Sequence, residues 1–200
     1  MQTVYLLLAF LCLIYLVYLL QPDLKKKKIN SGRKGSKSTT EGLYMRMRNM
    51  AFSVTPEKLK INIPGDDVSV YGVIVDWSYS NVIASVVAFT TGDASIYLSS
   101  DQIFIGGYAH EEIKKAAKDL VVGAQYCLGL TQKTLSLSLP DKECTKFYFL
   151  TNKGIYSHQE PTISITQGES DWTVIFNITQ NLIAQYRLID QAKRKGLEKS

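Results

Sequence analysis

Residues Val4 to Leu20 (VYLLLAFLCLIYLVYLL) form a run of 17 residues without a charge, a glycine or a proline. A helix of this composition has no polar stripe to turn toward water on any face, which sets it apart from the buried helix of a soluble domain. With Met1–Thr3 added it would span roughly 30 Å, the thickness of a hydrocarbon core. Pro22, in Gln21-Pro22-Asp23, closes it, because proline has no amide hydrogen to continue the ladder. Residues 1–22 are therefore expected to form an uncleaved transmembrane anchor. The rival is a cleaved signal peptide that releases a secreted domain. It calls for positive charge ahead of the apolar run and small residues at a cleavage site, and the sequence has neither.

Lys25, Lys26, Lys27, Lys28, Arg33, Lys34 and Lys37 follow the run directly, while nothing before it is basic except the amino terminus. By the positive-inside rule the carboxy-terminal part lies in the cytoplasm. Three cysteines, Cys12, Cys127 and Cys144, fit no dense disulfide framework and suit a reducing compartment. The net charge of +5 at first suggests a nucleic-acid partner. Its distribution says otherwise: residues 23–48 hold nine Lys/Arg and two acids, net +7, and residues 49–200 hold the other fourteen against sixteen acids, net −2. The basic character belongs beside the membrane, where each Lys or Arg near an anionic leaflet contributes about 1 kcal/mol. The bilayer and its anionic headgroups are thus expected partners, with Lys25–Lys28, Arg33 and Lys34 at the lipid surface. Nucleic acid is not, since no aromatic platform, zinc pattern or helix-turn-helix pattern accompanies the charge. Residues 23–41, rich in Ser, Gly and Lys, read as a flexible juxtamembrane linker with a reach on the order of 20 Å.

From residue 42 to 200 the pattern is that of a packed domain. Leu43, Met45, Met47, Met50, Ala51 and Phe52 mark a short helix with Arg46 and Arg48 on its other side. Lys58 to Ile63 alternates and reads as a short strand or extended piece ended by Pro64-Gly65. Val68–Ser78, Val82–Thr90 and Ala94–Ser99 are expected strands of an antiparallel meander, joined by turns at Tyr79-Ser80-Asn81 and Thr91-Gly92-Asp93. Ile113, Ala116, Ala117, Leu120, Val121 and Ala124 repeat at helical spacing, giving a helix from Glu111 to about Leu128. Lys146–Thr151 and Ile155–Gln159 form another hairpin, with Thr162–Thr166 as an edge strand. Asp171 then caps a long amphipathic helix carrying Trp172, Ile175, Phe176, Leu182, Ile183, Tyr186 and Ile189 on one face. Hairpins dominate and no βαβ unit repeats, so the expected class is α+β, with one antiparallel sheet packed by two long helices.

Residues with chemistry to offer are few. His110 and His158 stand in no metal-ligand spacing, and no cofactor signature or nucleophile motif is present. His110, ahead of Glu111 and Glu112, reads as a helix cap. Asp76 interrupts an apolar strand; it is expected to turn to the solvated face or cap a turn, the alternative being burial with a raised pKa. Ile105-Gly106-Gly107 before a helix start could cradle a phosphate. The acidic first turn and the gap after Gly107 favour a tight chain reversal instead.

The segments VVAFTTGDASIYLSS, Ile105-Gly106-Gly107, His110-Glu111 with Ile113-Lys114-Lys115, and KFYFLTNKGIY, with a closing helix carrying NLIAQYRLI, together resemble an uncharacterised bacterial family of small α+β domains over roughly residues 68–195. The resemblance implies a domain type without an assigned activity; Ser100-Asp101-Gln102 stands where that family is usually richer in glycine. The element order is also similar to profilin and roadblock/longin-type three-layer folds, which mostly act as binding and scaffold modules. The expectation is a single-pass protein of the bacterial inner membrane. It would display a cytoplasmic binding or assembly module, not an enzyme, for a protein partner or a second copy of itself. Candidate contact residues are Trp77, Tyr97, Phe104 and Tyr108. The alternative, an enzyme-like domain for a small ligand or nucleotide, needs a pocket that combines Asp76, Ser99, Ser100 and His110 with the Gly106-Gly107 turn.

Overall fold

A computed structural model of the chain describes residues 40–100 and 102–197. The expected anchor and the basic run Lys25–Lys37 lie outside the described residues. Among those described, no helix is long and apolar enough to cross a membrane.

The elements in chain order are α1 (Thr40–Phe52), β1 (Val70–Tyr79), β2 (Val82–Phe89), β3 (Ala94–Leu98), β4 (Ile103–Phe104), α2 (Glu111–Cys127), β5 (Gln132–Thr134), β6 (Cys144–Thr151), β7 (Gly154–Pro161), α3 (Thr162–Thr166) and α4 (Thr173–Leu197). The fold is α+β. The strands make one seven-stranded sheet in the order β4-β3-β2-β1-β6-β7-β5, and every neighbouring pair is antiparallel. The apolar run VYGVIVDW sits at the centre of this sheet, and it is buried on both faces because both are covered.

Alternation along β1 divides the core. Val73, Val75 and Trp77 face α2 and α4. There Trp77 meets Phe176 edge-on at 5.4 Å, and Trp172 stacks on Phe147 at 4.7 Å. Ile113, Ala116, Ala117, Leu120, Val121 and Ala124 form the buried stripe of α2. Its Gly123 lets α4 approach closely, since a Cβ there would stand 2.9 Å from Ile178 Cδ1. The other face, with Ile74, Val87, Tyr148 and Leu150, takes α1 through Tyr44 and Ala51, and Leu59, Ile61, Ile63, Leu137 and Leu139 pack around them.

Several expectations need correction. Thr162–Thr166 is a short helix, α3, rather than an edge strand: the Gln167 amide bonds back to Ile163 O at 3.0 Å, and Ile165 is fully buried. Lys58–Ile63 is not a strand. Its alternating Leu59, Ile61 and Ile63 plug the α1 face from turns and irregular chain. Strands β4 and β5, of two and three residues, were too short to show any alternation.

Candidate functional site

Helix α1 brings Tyr44 and Arg48, four residues apart and so on one face, down onto the middle of the sheet. The expectation that Arg48 lies on the outer side of this helix is wrong. It has no exposure at all, and neither has Asp76. Asp76, likewise expected on a solvated face, points at α1, because it shares that face with Ile74, two residues before it in the strand.

Arg48 Nε and one terminal nitrogen both donate to Asp76 Oδ2, at 2.9 and 2.5 Å. The other terminal nitrogen donates to Leu137 O at 2.8 Å, while the one bonded to Asp76 also donates to Ser138 O at 3.3 Å. Asp76 Oδ1 accepts from Ser85 Oγ at 2.5 Å, and the Ser85 hydroxyl is 2.9 Å from Tyr44 Oη. The guanidinium also lies 4.8 Å from the centre of the Phe52 ring. Ser85 and Asp76 are direct cross-strand neighbours, as are Asp76 and Lys146. One row across the sheet, Tyr97-Ser85-Asp76-Lys146-Gln159, therefore carries the polar groups of this face.

Burial pushes the Asp76 carboxyl above its ordinary range, against the pull of Arg48 and Ser85. Burial also works against the Arg48 charge, but the bond and charge of Asp76 more than offset it, so its proton is held more tightly. Burial and the Asp76 carboxylate push the Tyr44 phenol up to about 12. The cluster is dry and internally satisfied, with no face open to a substrate. Its chemistry is that of a clamp which fixes α1 to the sheet.

The remaining expected residues do not gather around Asp76. Trp77 points to the opposite face, and its buried indole N–H has no hydrogen-bond partner. Ser99 Oγ accepts the Ile83 amide at 2.8 Å, and Ser100 is exposed in the turn after β3. Phe104 packs edge-on against Tyr186 at 6.4 Å. Gly106 takes a left-handed φ of 82° in the chain reversal before α2. Gly107 is buried against Tyr186 and Ile113, so the pair of glycines serves packing and turning. Tyr108 is 53% exposed beneath the Lys114 ammonium, 4.4 Å from its ring centre. His110 occupies the position before α2, but contrary to expectation its side chain makes no capping bond. Ser170, not Asp171, makes the side-chain bond at the start of α4, accepting the Trp172 amide at 3.0 Å.

Tyr44, Arg48 and Ser85 escaped the sequence reading. The one signal that pointed to them was Asp76 itself, a carboxylate in an apolar strand, which requires a buried cation or donors. Burial also pushes the Cys127 and Cys144 thiols up. Among the described residues no group of three or more His, Cys, Asp or Glu is placed to hold a metal ion. Set against protein-family models, curated proteins and solved structures, the chain matches none of them.

Proposed function

We propose that this protein is a membrane-anchored binding or assembly module, with a three-layer arrangement of the profilin or roadblock kind, held by residues 1–22 in the bilayer and by the basic segment at its surface. The observation that carries this reading is the Arg48–Asp76 clamp. This ion pair, fully buried on both sides, fixes the helix that directly follows the basic linker to the central strand. The contact surface is assigned to the outer side of α2 and α4, where Val122, Tyr126 and Val174 are 56%, 86% and 67% exposed. Trp77 and Tyr97 are buried in packing.

The test is made on membranes from cells producing the full chain with a photo-reactive phenylalanine at Tyr126. The chain should stay in the membrane through alkaline extraction and give a discrete cross-linked species. An amino terminus beyond residue 20, a chain recovered in the soluble fraction, or membranes without any adduct would overturn the reading.

A further inference from the structure

Helices α1 and α4 cross the sheet on opposite faces, yet the start of one and the end of the other come to the same edge. Along α1, Tyr44 lies over Ser85 of β2, Arg48 over Asp76 of β1, and Phe52 against Tyr148 of β6, with 5.0 Å between the ring centres. Each helical turn thus advances by one strand, and the first turn, from Thr40, lies toward β3 and β4. Along α4, Trp172 stacks on Phe147 of β6, Phe176 meets Trp77 of β1, and Tyr186 donates to Ala94 O of β3 and packs on Phe104 of β4. The rest of α4, to Leu197, continues past the β4 edge. That edge presents apolar side chains to solvent: Ile105, Tyr108 and Leu188 are each more than half exposed, next to the packed group of Phe104, Gly107 and Tyr186. It is also positive. From Arg187 to Leu197 the chain carries Arg187, Lys193, Arg194 and Lys195 against one acid, Asp190. The Lys114 ammonium covers the Tyr108 ring and pairs with Glu111, so of the two acids that open α2 only Glu112 stands against these cations. Residues 49–200 as a whole carry net −2, which makes this positive end a local feature.

We propose that the β4 edge docks on an anionic lipid surface, with Ile105, Tyr108 and Leu188 at the headgroup boundary and the end of α4 against the phosphates. The proposal rests on the membrane-anchored reading above. Two observations favour lipid over a protein partner. The chain preceding the described residues joins the domain at Thr40, on this edge, and the tether expected from residues 23–41 reaches only on the order of 20 Å. Exposed aliphatic and tyrosine side chains beside Lys and Arg make up an interfacial anchor, whereas the core of a protein interface is depleted of lysine. Tyr126, at the far end of α2 from Tyr108, stays clear of the lipid in this arrangement.

The full chain is reconstituted in vesicles of phosphatidylcholine and phosphatidylglycerol with brominated acyl chains, which quench tryptophan only at short range. Tyr108→Trp reports on the β4 edge and keeps an aromatic ring under Lys114. Leu135→Trp is the control. Leu135 is apolar and almost fully exposed, but it follows β5, at the opposite edge of the seven-stranded sheet and about 29 Å away. The buried Trp77 and Trp172 of the unsubstituted chain give the baseline. Quenching is expected at position 108 and not at 135. Lys193→Gln, Arg194→Gln and Lys195→Gln, introduced together, should lower the ratio of docked to undocked chain by about fivefold per charge. Alkaline extraction of the same vesicles separates this proposal from the reading it rests on. A chain that is retained but shows no quenching at 108, or equal quenching at 108 and 135, overturns the docking and leaves the anchor standing. A chain lost from the vesicles overturns the anchor and the docking together. Quenching indifferent to the three charges overturns the anionic surface. Emission at position 108 that responds to protein density and not to bromination assigns the edge to a second copy, and overturns the lipid as its occupant.

Discussion

Arg48 and Asp76 meet with no solvent exposure on either side chain, 28 positions apart in the chain. Taking both charges out of water is costly, and their attraction offsets this only when the remaining donors and acceptors are satisfied. Here they are: Ser85 completes the carboxylate, and the carbonyls of Leu137 and Ser138 complete the guanidinium. The pair therefore ties α1, β1 and the segment after β5 into one cooperative unit.

Removing one partner strands the other. Arg48→Met should destabilise the domain by about 3–5 kcal/mol, because a buried carboxylate is left without its cation. Asp76→Asn should cost a similar amount. The double variant should lose clearly less than the sum of the two, giving a coupling energy of about 1–3 kcal/mol in urea unfolding. Strict additivity would mean that the pair does not act as a unit.

Tyr44 makes stability depend on alkaline pH. Its phenol is raised from 10.0 to about 12 by burial and by the charge of Asp76. The stabilisation this represents is fully present below pH 10 and is lost as pH rises through the folded value, because the unfolded tyrosine ionises first. Tyr71 and Tyr186 are shifted in the same direction. The urea midpoint should accordingly fall between pH 10 and about 12. Tyr44→Phe should be less stable near neutrality by about 1 kcal/mol, for the lost bond to Ser85, yet show a shallower alkaline slope. An unchanged slope would remove Tyr44 from the titration.

Long elements were legible because their periodicity is averaged over many residues. The near-continuous apolar run of β1 and the helical spacing from Ile113 to Ala124 each repeat the same message. The orientation of Arg48 was not legible. In a segment as apolar as Leu43–Phe52 an arginine is assigned outward by default, and its partner lies on a strand with no local relation to it. The spacing Tyr44, Arg48, Ala51 does mark one helical face, and only the unpaired carboxylate of Asp76 could have singled it out. Edge strands of two or three residues carry no period to read. Thr162–Thr166 has two isoleucines at a spacing of two, which a strand and a single helical turn accommodate equally well.

The two adjacent glycines should separate in their tolerance of alanine. At Gly106 nothing lies within 4 Å of an added Cβ, and the cost comes from the left-handed φ, about 1 kcal/mol. At Gly107 the added Cβ runs into the Tyr186 hydroxyl and Ile113. That displaces the bond from Tyr186 to Ala94 O, 2.6 Å long, at a cost of about 1–3 kcal/mol. Thermal unfolding of both variants checks the order; a Gly106→Ala loss exceeding that of Gly107→Ala would contradict the packing role.

Helix α1 should be part of the domain and not of its tether. It contributes Tyr44, Arg48 and Ala51 to the core, and Tyr71 Oη donates to Val54 O just after the helix at 2.9 Å. A shortened chain that starts at Thr40 keeps all of these. One that starts at Val54 leaves Asp76 and Ser85 buried without Arg48 and Tyr44, and bares the apolar side chains around Ile74, Val87 and Tyr148. The first should unfold cooperatively in urea. The second should lose dispersed amide resonances and slow hydrogen exchange across β1, β2 and β6, since the missing clamp and the exposed sheet face together exceed the stability of an ordinary domain of this size. Retained protection in the shorter chain would show that α1 is an accessory to the sheet.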